Sequence, residues 1–167
     1  MATITKAYKE TVPALRFIGK RYGNADRVNG SFGAKWGEWF EKGWFGELEK
    51  LFDGKLAEIH ENGDAYIGLM RDNGENGFEY WIGIFMPKDT AVSENYAHVD
   101  FPAGELGVCW VYGKENEVYM HEVECWERLK AEGINPGSGW CFERYACPRF
   151  TTPDDKGNVT LDICFYI

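Results

Sequence analysis

Basic residues are scarce in this chain. Eighteen Lys and Arg stand against 27 Asp and Glu, a formal net charge of −9 over 167 residues. Sequence-independent nucleic-acid binding needs a Lys/Arg surface to neutralise phosphates, so direct nucleic-acid binding is not expected. The acidic balance is compatible with attracting organic cations, and equally with an ordinary solvated surface. Histidine is scarcer still: His60, His98 and His121 are scattered. The five cysteines are odd in number and form no CxxC, and Cys141 and Cys147 are six apart, which is not zinc spacing. No metal and no cofactor is expected, and reduced, mostly buried thiols fit a cytoplasmic protein. Long apolar runs are missing, and Met1 to Glu10 contains no apolar signal segment. A membrane span and a secretory signal are therefore not expected either.

Aromatics are plentiful: seven Trp, nine Tyr and eleven Phe, enough to fill a core and still line a cavity. One stretch, Trp140-Cys141-Phe142-Glu143-Arg144-Tyr145-Ala146-Cys147-Pro148, reads as a strand bounded by Gly137-Ser138-Gly139 and by Pro148. Yet it carries an acid in its middle. A period of two puts Cys141, Glu143, Tyr145 and Cys147 on one face and Trp140, Phe142, Arg144 and Ala146 on the other. If the Glu143 face is the inner one, the acid needs a proton, a hydrogen bond or a cation among its aromatic walls. If it is the solvated face, Arg144 is merely a neighbour.

Residues 12 to 22 alternate as a strand. Ser31 is a candidate N-cap for a helical pattern of Phe32, Trp36, Trp39, Phe40, Trp44 and Leu48. Gly43 predicts a break, with a second short turn ending by Phe52-Asp53-Gly54. Residues 65 to 71 and 78 to 87 read as an antiparallel hairpin. The second half repeats this order. A strand covers 105 to 113. Then comes a helix with Val118, Tyr119, Val123, Trp126 and Leu129 inward, stopped by Gly133. The 140–148 strand and a final strand over 159 to 167 complete it. The expected fold is α+β: two βαββ modules, halves 1–90 and 91–167 of one domain. They are expected to form a joined antiparallel sheet with helices on one side.

The second half resembles the GyrI-like small-molecule-binding domain, the effector-binding module of AraC and MerR-type regulators. The resemblance is carried by Pro102-Ala103-Gly104, by Trp126 and Leu129, by Phe142-Glu143-Arg144-Tyr145, and by Leu161 to Ile167. The first half is similar to the stand-alone and integron-associated subgroup through Phe32-Gly33-Ala34-Lys35-Trp36, Trp39-Phe40 and Gly43-Trp44-Phe45. The resemblance implies that the two βαββ modules are a pseudo-twofold, SHS2-like pair with a pocket at the junction of the halves, with Glu143 meeting cationic or aromatic ligands and Tyr145 as its motif partner. Repeat alignment sets Gly68 opposite Glu143, offering room in place of an acid. No helix-turn-helix precedes strand one, so a DNA-binding role is not expected to carry over.

The candidate ligand-binding residues are therefore Glu143, Tyr145, Tyr66, Gly68, Trp81, Trp110, Tyr112 and Trp140, with Trp36 and Trp39 of lower rank. A cation meeting good ring faces gains roughly 0.5–2 kcal/mol per ring. The expected function is a stand-alone binder of small hydrophobic, aromatic or cationic organic ligands. Two alternatives stand beside it. The resemblance implies a hydrolase of cyclopropane-bearing compounds, with Glu143 as general base and Tyr145 orienting. The chain could also be an effector-sensing partner of a separate regulator protein, or a homodimer.

Overall fold

The computed structural model describes residues 1–51, 60–137 and 139–167. The expected helix end at Phe52-Asp53-Gly54, and Ser138 of the turn before the 140–148 strand, lie outside them. The strands are β1 (Thr3–Val12), β2 (Leu15–Tyr22), β3 (Tyr66–Asp72), β4 (Phe78–Pro87), β5 (Ala97–Phe101), β6 (Gly104–Gly113), β7 (Cys141–Tyr145) and β8 (Val159–Tyr166). The helices among the described residues are α1 (Gly33–Glu41), α2 (Trp44–Glu49) and α3 (Glu122–Ala131). The fold is α+β, and the chain divides into two compact units. One joins Met1–Pro13 to Ala103–Ile167; the other is Ala14–Pro102.

The first unit has strand order β1-β6-β8-β7, each pair antiparallel. Its core gathers Val118, Cys125 and Leu129 from α3 and the segment before it with Cys109, Val111, Leu161 and Ile163 from the sheet. The strand β1 has no counterpart in the sequence reading, because Lys6, Lys9 and Glu10 interrupt its apolar pattern. Charge of this kind suits an edge strand, where it blocks pairing with other chains. A register shift between Ile4 and Lys6 brings Ile4 opposite Val111 and Ala7 opposite Cys109. Residues three apart thus reach the same core, which a regular period of two forbids.

The helix α3 also differs from its sequence reading. It begins at Glu122, after Met120 has taken a left-handed turn at φ 65°. Cys125 and Leu129 are its buried residues, whereas Val123 is 68% exposed. Trp126 lies under the Lys130 ammonium at 4.3 Å rather than in the core. Glu122 and Glu124 at its start and Arg128 and Lys130 at its end complement the helix dipole. Gly133 does end it, at φ 79°.

The second unit has strand order β3-β4-β2-β5, again antiparallel. The hairpin of β3 and β4 forms as expected. So does the helix break: Gly43 sits between α1 and α2 at φ 68°. Ser31 stands one residue outside the cap position, which Phe32 holds, and its Oγ accepts the Gly33 N–H at 3.3 Å. Gly19 and Gly83 face each other across β2 and β4. A Cβ on either would overlap the partner strand's carbonyl, so only glycine permits this approach. The helices α1 and α2 cover the sheet face bearing Tyr22, Tyr66 and Tyr80. The opposite face packs Phe17 edge-on to Trp81 and Phe85. Among the described residues no helix is long and apolar enough to cross a membrane.

Candidate functional site

The strand β7 pairs with β8 so that Glu143 faces Ile163 and Arg144 faces Asp162 across the ladder. Since Ile163 belongs to the α3 core, Glu143 lies on the helix side, between Cys141 and Tyr145. All three are half-buried, whereas Phe142 and Arg144 on the other side are buried. The Tyr145 hydroxyl donates to the Glu143 carboxylate, and its ring meets Phe150 edge-on at 4.7 Å. Glu143 also acts on its neighbours through space. Burial, then Glu115 and Glu143, push Tyr119 up to about 12. Burial foremost, then Glu122 and Glu143, push the Cys141 thiol up to about 12. Both groups stay neutral at physiological pH. Glu143 thus accepts from the Tyr145 phenol and acts on a second phenol and a neutral thiol.

The other face of the same sheet carries different chemistry. Arg144, 2% exposed, forks onto Glu10 of β1 at 2.8 and 3.0 Å and reaches Asp162 through Nε at 2.8 Å. Asp162 also accepts two bonds from Arg149. Two of the predicted ligand residues lie here. Trp110 stands opposite Asp162 in the ladder, on the Arg144 face and not the Glu143 face. Its ring already meets the Lys6 ammonium at 4.5 Å and the Arg149 guanidinium at 4.7 Å. Tyr112 shares that face. Its hydroxyl donates to Asp154 at 2.6 Å and accepts from Asn158 at 3.0 Å, which fastens the 154–158 loop. Trp140 precedes β7, and its carbonyl accepts the Tyr166 N–H at 3.2 Å. Of the residues predicted from this unit, the structure brings together Glu143 and Tyr145.

The second unit gathers a set of rings on its helix-covered face. Tyr66 stacks on Phe45 at 3.8 Å with planes 1° apart, and its hydroxyl donates to Glu49. Trp36 donates through Nε1 to the Tyr80 hydroxyl at 2.9 Å, and Tyr80 stacks on Phe32 at 4.3 Å. Gly68 lies beneath this pair: a Cβ there would stand 2.5 Å from the Tyr80 oxygen and 3.3 Å from Trp36. The room expected over Gly68 is taken up by these two side chains. Trp39 is wholly buried, donating to the Tyr22 hydroxyl at 3.0 Å. Trp81 is buried on the opposite face of the sheet, beside Phe17. So Trp36, Tyr66 and Gly68 share a surface, with Trp39 in the core behind and Trp81 apart. Phe45, Glu49 and Tyr80 were missed as members of this group. The helical stripe could have found Phe45, and the period of two in β4 could have found Tyr80. Glu49 gave no signal, because an acid on a helix surface is ordinary.

No protein-family model and no curated protein matches the chain. Solved structures do. A candidate bacterial transcription regulation protein of Staphylococcus aureus MU50 is similar at TM-score 0.66 and 16% identity, over 96% of this chain and 97% of that one. SAV2435 bound to tetraphenylphosphonium is similar at TM-score 0.65 and 16% identity, over 97% and 93%. A hydrolase of Listeria innocua is similar at TM-score 0.53 and 11% identity, over 97% and 92%. At these identities the likeness is one of fold: the chain has the GyrI-like α+β fold.

Proposed function

We propose that the protein binds small amphipathic organic molecules, aromatic and cationic ones above all, and that Glu143 is the residue that selects for positive charge. The observation that carries this reading is the half-buried Glu143 carboxylate on the helix side of β7, held by the Tyr145 phenol. The likeness in fold to a protein bound to tetraphenylphosphonium, a bulky aromatic cation, supports it. Tyr66, Trp36 and their stacked neighbours are the ring surface that the second unit offers to such molecules. A cation beside a partly desolvated carboxylate gains far more than one beside a carboxylate in open water. The test is a titration of wild type and Glu143→Gln with tetraphenylphosphonium and with neutral triphenylphosphine oxide. Glu143→Gln is expected to weaken the cation about tenfold, equivalent to roughly 1.4 kcal/mol, and the neutral compound little. Equal losses for both would refute charge recognition.

A second reading draws on the same pair. A carboxylate hydrogen-bonded by a phenol in a partly dry site can accept a proton from water, and a hydrolase shares the fold. Turnover of a cyclopropane-bearing electrophile, lost in Glu143→Gln with binding retained, would establish it. A regulator protein as partner, or self-association, would be read from co-purification and from sedimentation.

A further inference from the structure

Among the described residues nine large hydrophobic side chains are exposed, and four of them fall within eight positions: Tyr119, Met120, Val123 and Trp126. Met120 is 85% exposed and Val123 68%. Val123 and Trp126 stand three apart on α3, so they share one flank of the helix. The Lys130 ammonium, over the Trp126 ring at 4.3 Å, carries that flank into the next turn. Cys125 and Leu129 point elsewhere, into the core shared with β6 and β8. Met120 joins the patch through a backbone conformation, φ 65°, that residues other than Gly, Asn and Asp rarely adopt. Burial of its own side chain does not repay that strain, and backbone strain of this kind clusters at functional sites. A flexible thioether also suits a surface that must adapt to a partner.

Acids border the patch. Glu122, four before Trp126, and Glu127, four after Val123, run along its two sides. Glu115 lies beside Tyr119. The cation of this flank is Lys130, while Arg128 is held by Glu132 at 2.9 Å. An apolar stripe between carboxylates is complementary to an amphipathic helix whose own stripe is flanked by Lys or Arg. It suits a second copy poorly, because a twofold contact brings the like-charged borders together. An anionic lipid surface would be repelled for the same reason. The stripe covers about two turns of α3, so the contact is small and the complex transient.

We propose that the face from Tyr119 to Trp126 docks a basic amphipathic helix of another protein, with Met120, Val123 and Trp126 taking its apolar stripe and Glu122 and Glu127 its flanking cations. The surface does not rest on ligand binding at Glu143, so the two readings succeed or fail separately. The probe is a fluorescein-labelled peptide of Leu, Ala and Lys, about 18 residues long so that it can form a helix, with Leu at i, i+3, i+4 and i+7. Its fluorescence anisotropy is followed on titration with the full chain, and binding in the micromolar range is expected. A scrambled peptide, which keeps the charge and loses the stripe, and a peptide with Glu for Lys should each bind at least about tenfold more weakly. Met120→Ser combined with Val123→Ser changes exposed positions only. It should weaken the stripe peptide about tenfold with the circular dichroism spectrum unchanged. Glu127→Lys should weaken the Lys peptide and strengthen the Glu peptide, and Glu143→Gln should change neither. Sedimentation of the chain alone and flotation with phosphatidylcholine–phosphatidylserine vesicles test the other occupants. A dimer or a vesicle contact that the double substitution abolishes would overturn the proposal. So would equal binding of the stripe and scrambled peptides, an equal loss in Glu143→Gln, or no binding up to about 100 μM.

Discussion

Replacing Arg144 by Met tests whether the buried charge network holds β7 in place. The side chain makes three bonds, two to Glu10 and one to Asp162, and is 2% exposed. Met fills most of the volume, so the cost is electrostatic. Asp162 keeps Arg149 and is not orphaned. Glu10 is the group left behind: among the described residues Arg144 is its salt-bridge partner, and its side chain is 16% exposed. Removing one partner of a fully buried pair costs about 3–5 kcal/mol, and an exposed pair is worth about 0–1 kcal/mol. With one end buried and the other reached by water, about 3 kcal/mol is expected. In a chain of this size that lowers Tm by roughly 6–12 °C. Glu10→Gln leaves Arg144 with Asp162 and should cost only about 1–2 kcal/mol. The double variant has no orphaned carboxylate, so its loss should fall short of the sum by about 1–2 kcal/mol. Urea unfolding followed by Trp fluorescence and far-UV circular dichroism gives these values. A loss under about 1 kcal/mol for Arg144→Met, or strict additivity, would refute the reasoning.

Gly68→Ala should destabilise by about 1–3 kcal/mol, because the new methyl displaces the Tyr80 hydroxyl and strains its bond from Trp36. The Trp36 indole N–H resonance should shift in the same variant; a stable Gly68→Ala with that resonance unmoved would show that the pair yields freely. Alkaline titration followed at 295 nm should show Tyr8, Tyr96 and Tyr119 lagging behind free tyrosine, since burial above all pushes each up to about 12. A raised phenol favours the folded state fully below the unfolded value near 10 and loses that contribution as pH rises to 12. Stability should accordingly decline across about pH 10–12, and ionisation of all nine tyrosines at the ordinary value in the folded protein would contradict the burial assigned to these three.

Much of this was legible in the strand at 140–148. Its period of two correctly separated Glu143 and Tyr145 from Phe142 and Arg144, because side chains alternate whatever the strand packs against. The hairpin and the breaks at Gly43 and Gly133 were legible for a similar reason: glycine acts locally on the backbone. The faces of Trp110 and Tyr112 were not. A strand's pattern says which residues share a side, and only the ladder from β6 through β8 to β7 says that the Trp110 side is the Arg144 side. The inward face of α3 was misread at Val123 and Trp126 because the left-handed turn at Met120 resets where the helix begins.

By itself, then, the sequence determined the α+β class, the order of elements apart from β1 and β5, the alternation within the strand at 140–148 and the presence of an acid among aromatic residues there. These follow from short-range sterics and periodicity, which act within a few residues. The tertiary structure alone decided what the acid and its neighbour do. Arg144 finds Glu10 134 positions away and so becomes a buried tie, leaving Glu143 on the helix side with Tyr145. Partnerships over such separations depend on which strands pair, and strand pairing is settled by burial of the whole unit rather than by any local run of residues.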